Sequence, residues 1–254
     1  EFADIFGAFG VEVTIVEMLD RLLPLMDAEL GQTLERSFGR RRMKLHLSSQ
    51  VTRLDAMEDG LQATVVTKEG EIKLQADRVL VAVGRRPNIK DLGLEAAGVH
   101  YEKTGIPVNE QMQTNVPGIY AIGDVNGRAP YTHGANYHGA ILTEYLLGDT
   151  SSGGAHGDRA TPRVMFTVPN LAAVGTTEDQ ARERGIDVIT SEWDLADTAA
   201  PYSHGHEHPG WAKLVFDASN RRLIGATFSN CSMNCRASMP SGSSGIAPPA
   251  NPSG

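Results

Sequence analysis

The stretch "TNVPGIYAIGDVNGRAP", Thr114–Pro130, decides how this chain is read. The apolar run Ile119-Tyr120-Ala121-Ile122 meets Gly123-Asp124 directly. That pattern predicts a short buried strand ending on a carboxylate, the place where open α/β sheets bind ligands. Asp after Gly at a strand end is also ordinary turn chemistry. Asp124 therefore gains its meaning from the segments around it.

Upstream, Phe2, Ile5, Phe6 and Phe9 share one face at helical spacing and predict the end of a helix, closed by Gly10. "VEVTIVE", Val11 to Glu17, is β-branched and predicts a strand. Asp27 to Arg41 reads as the next helix and His46 to Asp55 as a strand. "LQATVVTKEG" followed by "EIKLQADRVLVAVG" predicts a hairpin leading into a fully apolar strand, Val79 to Val83. This order suits a nucleotide-binding α/β domain with an inserted meander.

Downstream, "GRRPN", Gly84 to Asn88, reads as a crossover between domains. After Asp124 comes a helix, His133 to Leu147, and then a Gly- and Ser-rich linker, Gly148 to Pro162. "RVMFTVPNLAAVG", "TTEDQARERG" and "DVITSEWDL" then read β-α-β, with Thr176 or Thr177 opening the helix. "WAKLVFDASNRRLIGATF" reads as a hairpin turning at Ser219-Asn220. From Ser229 to Gly254 periodicity is lost among Ser, Pro, Gly and Asn, so this tail is expected to be disordered or aberrant.

Composition narrows the function. The 254 residues carry a net charge of -8, which argues against nucleic acid, whose phosphates demand a clustered basic surface. The basic run Arg40-Arg41-Arg42 reads as a solvated helix end. No apolar run approaches the ~18 residues of a membrane span, and no signal-peptide pattern opens the sequence. Two cysteines make no disulfide framework and suggest a reducing, cytoplasmic setting. The opening Glu1-Phe2-Ala3, without Met, reads as an entry in mid-pattern into something longer.

Glu17 is the second candidate. An acid at the tip of the second strand of a dinucleotide-binding unit accepts hydrogen bonds from the adenosine ribose and repels a 2′-phosphate, selecting NAD over NADP. Taken alone it is a solvated strand end. The glycine fingerprint G-x-G-x-x-G belongs about 20 residues upstream, before the first residue given.

Together, "EFADIFGAFGVEVTIVE", "ADRVLVAVGRRPNIKDLGLEAAGV", "TNVPGIYAIGD" and "PRVMFTVPNLAAVGTTEDQARERG" resemble, in this order, the flavoprotein pyridine nucleotide–disulfide oxidoreductases. Dihydrolipoamide dehydrogenase, glutathione reductase and mercuric reductase are members. The resemblance covers about residues 1 to 228 and implies an α/β protein with Rossmann-like FAD- and NAD(P)-binding domains, both partial, and a truncated α+β dimer-interface domain.

On that resemblance, residues 1–84 are the NAD-binding domain without its first strand and Gly-rich turn. Residues 85–150 are the C-terminal part of the FAD-binding domain, and 160–228 a truncated dimerisation domain. Glu1, Glu17, Val51 and Gly84 are implied NAD contacts. Gly123, Asp124, Pro130, Tyr131, Thr132 and His133 are implied FAD contacts, with Asp124 on the ribityl and pyrophosphate region and Pro130 to His133 along the isoalloxazine edge. The implied activity is hydride transfer between NAD(H) and flavin, then to a small-molecule or protein-bound disulfide, in a homodimer touching neither nucleic acid nor membrane.

The family's C-x-x-x-x-C dithiol and carboxy-terminal His-Glu pair are not in this sequence, so no catalytic residue is expected in the chain itself. Cys231 and Cys235 have the wrong spacing to replace the dithiol, and His204, His206 and His208 read as a flexible turn and not as a metal site. The competing reading is a non-catalytic remnant, or a nucleotide-binding or interaction fragment without activity. An interface sheet without its covering layer is expected to leave Val215 and Leu223 in water.

Overall fold

The computed structural model describes residues 1–149, 161–195 and 210–229. Both cysteines, the three alternating histidines and residues 230–254 lie outside the described residues. The described residues of Glu1–Val83 and Pro162–Ser232 form one compact unit, those of Gly84–Thr161 the other.

In the first unit, α1 (Phe2–Ala8) is followed by β1 (Thr14–Val16), α2 (Ala28–Arg40) and β2 (Lys44–His46). β1 and β2 pair in parallel, Thr14 against Lys44 and Val16 against His46. Parallel neighbours need a crossover, and α2 supplies it. Leu30, Leu34 and Phe38 recur every four residues along α2 and are buried with Leu22, Met26, Met43 and the distant Leu171.

The single strand expected over His46 to Asp55 is two. Ser48, at φ 48°, breaks the run between β2 and β3 (Gln50–Met57). β3, β4 (Gly60–Thr67) and β5 (Gly70–Ala76) form an antiparallel meander in that order.

Two apolar patterns are present but lie in solvent. α1 turns Ala3, Asp4 and Gly7 towards the core: Ala3 packs on the α2 cluster, Asp4 pairs with Arg41, and Gly7 admits the Met43 side chain. Its Phe2, Ile5, Phe6 and Phe9 are exposed. Val79 to Val83, expected as a strand, is irregular, with Val81 69% and Val83 93% exposed. An all-apolar strand belongs inside a parallel sheet covered on both faces. Among the described residues the parallel sheet consists of β1 and β2 alone, with no place prepared for it.

The same unit holds a five-stranded antiparallel sheet, built from β6 (Arg163–Met165), β7 (Leu171–Gly175), β8 (Val188–Asp194), β9 (Trp211–Asp217) and β10 (Arg222–Ser229). Its order is β6-β7-β10-β9-β8. Between β7 and β8, Thr177 opens α4 (Glu178–Glu183) with a reciprocal capping box: Gln180 N donates to Thr177 Oγ1 at 3.2 Å, and Thr177 N to Gln180 Oε1 at 3.3 Å. The Asp217 carboxylate closes the β9–β10 turn by accepting from Ser219 N at 2.8 Å and Asn220 Nδ2 at 2.9 Å. Ser229 pairs with Leu171 and Trp211, so β10 runs one residue past the point where the periodicity fades.

Alternation along β9 decides which side chains are wet. Leu223 is 55% exposed as expected, but Val215 is 1% exposed. Val215 sits on the same face as Lys213, and that face is covered. Lys213 Nζ lies 2.6 Å from Glu178, 3.0 Å from Glu29 and 3.6 Å from Asp27, with its side chain 4% exposed. Thr227 Oγ1 donates to Asp27 at 2.5 Å. Burial disfavours the Lys213 ammonium, yet its hydrogen bonds to Glu178 and Glu29 outweigh that and hold its pKa above the ordinary lysine value. The same Lys213 contact, joined by Arg182, holds the Glu178 carboxyl below its ordinary value.

In the second unit, Leu94, Val99, Ile106 and Ala121 form one core and Met112 with Ile141 another. Ile119 to Ile122 is extended but is no strand; Tyr120 makes only an isolated bridge to Gln113. A 3-10 turn (Gly123–Asn126) and α3 (Thr132–Leu146) follow.

Candidate functional site

The second unit brings the sequence-predicted residues Gly123, Asp124 and Pro130 to His133 onto one turn and one helix start. Gly123 is required there twice over. Its φ of 73° is left-handed, and a Cβ at this position would lie 3.0 Å from that of Ala135 in α3. Behind the turn Gly134 packs against Ala129, whose carbonyl oxygen a Cβ would meet at 2.6 Å.

Asp124 leaves this rigid turn half-exposed, and Arg85 Nη2 lies 3.4 Å from its Oδ2. Pro130 and Thr132 are exposed, and the Tyr131 and His133 rings stack with centroids 5.2 Å apart. Tyr131 is the N-cap of α3, without a side-chain cap bond, and the first turn carries no acidic residue. The first turn thus sets no carboxylate of its own against the positive end of the helix dipole, an arrangement that favours an electron-rich group.

Those features fit a flavin nucleotide. A reachable carboxylate suits hydroxyl groups, the Arg85 guanidinium suits phosphate, and the helix start suits negative charge on a reduced ring. Arg85 could not be singled out within "GRRPN", because nothing in that spacing points to a residue 39 positions away. Two buried partners of the turn, Asn126 and His138, also carried no sequence signal.

The NAD candidates fall in both units. Glu17 follows β1; its backbone N–H donates to His46 O at 2.9 Å, and its Oε1 accepts from Leu19 N at 2.9 Å. Ser49 N donates to Glu17 O at 2.9 Å, so the Ser48–Ser49 turn is seated beside it. Met18, which follows Glu17, and Ser48, Ser49, Gln50, Val66, Thr67 and Lys68 line an open cavity of about 270 Å³. Three hydroxyls, an amide and the Lys68 ammonium beside two apolar side chains suit the polar adenosine end of a dinucleotide.

Val51, beside this cavity on β3, is 41% exposed at a register shift against β4. Glu1 is the N-cap of α1, and its Oε1 accepts from Phe166 N at 2.8 Å. Gly84, at φ 125°, begins the other unit. Among the described residues no group of three or more His, Cys, Asp or Glu could hold a metal ion, and no helix is long and apolar enough to cross a membrane.

Comparison with known proteins gives these constellations a family. The sequence model of the pyridine nucleotide-disulphide oxidoreductases matches residues 1–139, and that of the family's dimerisation domain matches 161–235. The dihydrolipoyl dehydrogenase of Mycobacterium tuberculosis is 40% identical over 230 residues, covering 89% of this chain and 48% of that protein. The mitochondrial dihydrolipoyl dehydrogenase of Pisum sativum is 35% identical, covering 89% of this chain and 45% of its own.

Among solved structures, LpdA from Mycobacterium tuberculosis superposes with a TM-score of 0.78 at 28% identity, covering 90% of this chain and 49% of that one. The HOCl-induced flavoprotein disulfide reductase RclA from Escherichia coli does so at 0.75 and 28%, covering 89% and 51%. The chain spans about half the length of the curated relatives it matches. It belongs to the pyridine nucleotide-disulphide oxidoreductases, a family of flavoprotein enzymes, and has their mixed α/β fold in part, with a match to their dimerisation domain.

Proposed function

We propose that this chain carries part of the cofactor contacts of a dihydrolipoyl-dehydrogenase-like oxidoreductase that uses NAD(H) and FAD. The observation that carries the reading is Asp124, half-exposed on a glycine turn that packs directly against α3 within the family match. FAD, when bound, supplies the hydride chemistry.

Asp124 would hold the ribityl and pyrophosphate region, with Gly123 allowing close approach. Pro130, Tyr131, Thr132 and His133 would border the ring system. Glu17 would hold the adenosine ribose of NAD, with Val51 and Gly84 beside the dinucleotide and Glu1 near its nicotinamide. The domain division at 84, 150 and 160 follows this assignment. The acceptor would be a disulfide on a small molecule or protein.

The dimer would form through the 160–228 region, where Ile189, Trp193 and Leu223 expose one apolar face of the five-stranded sheet. Two cysteines in 254 residues suit a reducing, cytoplasmic compartment. A second reading, an interaction fragment without activity, is favoured by the exposure of Val79 to Val83.

A chimera separates the two readings. Residues 1–229 would replace the matching segment of the Mycobacterium tuberculosis dihydrolipoyl dehydrogenase. The proposal predicts a yellow protein whose flavin is bleached by NADH better than by NADPH, with Glu17→Arg reversing that preference. A folded but colourless chimera would favour the inactive fragment. The chain by itself is expected to purify colourless, because its sequence contains no glycine fingerprint to receive a pyrophosphate.

A further inference from the structure

The buried histidine of α3 is a group that the cofactor assignment leaves unused. His138 is 0% exposed. Its Nδ1 accepts the Gly123 backbone N–H at 3.2 Å, and Asn126 Nδ2 lies 3.4 Å from the same nitrogen. Both neighbours are donors, so Nδ1 is the bare acceptor nitrogen and the ring proton sits on Nε2.

Asn126 is itself buried and spans the turn. Its Nδ2 donates to Ala121 O at 3.1 Å, and its Oδ1 accepts from Arg128 N at 2.9 Å. The two residues thus grip the turn before and after Asp124. Two further contacts are made by Asp124: Gly127 N donates to its carbonyl oxygen at 3.1 Å within the turn itself, and the Arg85 guanidinium is 87% exposed, an exposed pair that fixes little.

We infer that His138 is the positioning residue of the Asp124 turn: its neutral imidazole, from within α3, accepts Gly123 N–H and thereby aims the carboxylate that would meet the flavin nucleotide. The inference rests on the proposed function for its ligand, but not for its geometry. A leucine at 138 would keep the volume and remove the acceptor, leaving a buried N–H without a partner. A glutamine would keep an acceptor of comparable reach.

The test is hydrogen exchange of the Gly123 amide in the ligand-free chain, read at single-amide resolution, with the Val99 amide of the same unit as reference. His138→Leu should accelerate exchange at Gly123 about tenfold, the loss of one hydrogen bond, while Val99 is unchanged. His138→Gln should restore protection. Equal protection of Gly123 in all three proteins would overturn the positioning role while leaving the flavin reading standing.

Should His138→Leu fail to fold, the ¹⁵N imidazole spectrum of the unaltered chain decides. An unprotonated Nδ1 beside a protonated Nε2 supports the inference, and a proton on Nδ1 at neutral pH refutes it.

Discussion

"WAKLVFD" in β9 and "VLVAV" at Val79 to Val83 are both short and apolar, and their fates are opposite. β9 is paired on both edges, by β8 and β10, and Val215 at its centre is 1% exposed. The Val79 segment is irregular and wet. The difference lies in where the partners are. An antiparallel strand finds its neighbour across a tight turn, as β9 finds β10 at Ser219-Asn220. A parallel strand depends on elements a crossover away. Local pairing brings β10 to β9 within a few residues, and α2 and α4 then cover one face of the five-stranded sheet, whereas among the described residues the parallel sheet stops at β1 and β2.

The contrast can be broken by placing one charge in each stretch. Val215→Asp buries a carboxylate on a packed face and should abolish cooperative melting of the sheet, a loss of more than about 4 kcal/mol. Val81→Asp should change stability by no more than about 0.5 kcal/mol and should reduce light scattering, because it interrupts an exposed apolar patch. If both unfold the protein equally, Val79 to Val83 is structured in solution.

Lys213→Ala comes next in size. It strands Asp27, Glu29 and Glu178 around an empty site and should cost about 3–5 kcal/mol by denaturant melts. Lys213→Met, which retains the packing, should cost less. Acid should act on the same network. The pKa of Glu178 is lowered in the fold, so its contribution is complete above the unfolded value of about 4.3 and is lost as pH falls through the lowered native value. The unaltered protein should therefore lose stability below about pH 4.3 more steeply than Glu178→Gln. Parallel acid profiles would remove Glu178 from the account. A smaller effect is expected at Gly123→Ala, about 1–2 kcal/mol from its left-handed backbone, and the smallest at Arg85→Ala, an exposed pair contributing about 0–1 kcal/mol.

Much of this architecture was legible in the residues. The helix start at Thr176 or Thr177, the hairpin turn at Ser219-Asn220 and the helix over Asp27 to Arg41 are local features, and each was legible in a few letters, though the reciprocal bonds that single out Thr177 were not. The apolar face of α1 was legible as a face but not as a wet one, since its burial depends on Gly7 and Asp4 meeting Met43 and Arg41 from the other side of the fold. Val215 was misplaced because alternation fixes two faces without saying which receives α2 and α4. At the candidate site Asp124 and Glu17 announced themselves as acids ending apolar runs. Arg85 and His138 did not, because their roles are contacts made over 39 and 15 positions of chain.

The central claim is that Asp124 belongs to a flavin site, and the chimera with the Mycobacterium tuberculosis enzyme tests it most directly. Flavin retained after gel filtration should be stoichiometric with Asp124 in place and largely lost in Asp124→Leu, with the melting curve of the apoprotein unchanged. Equal flavin content in the two proteins would contradict the account.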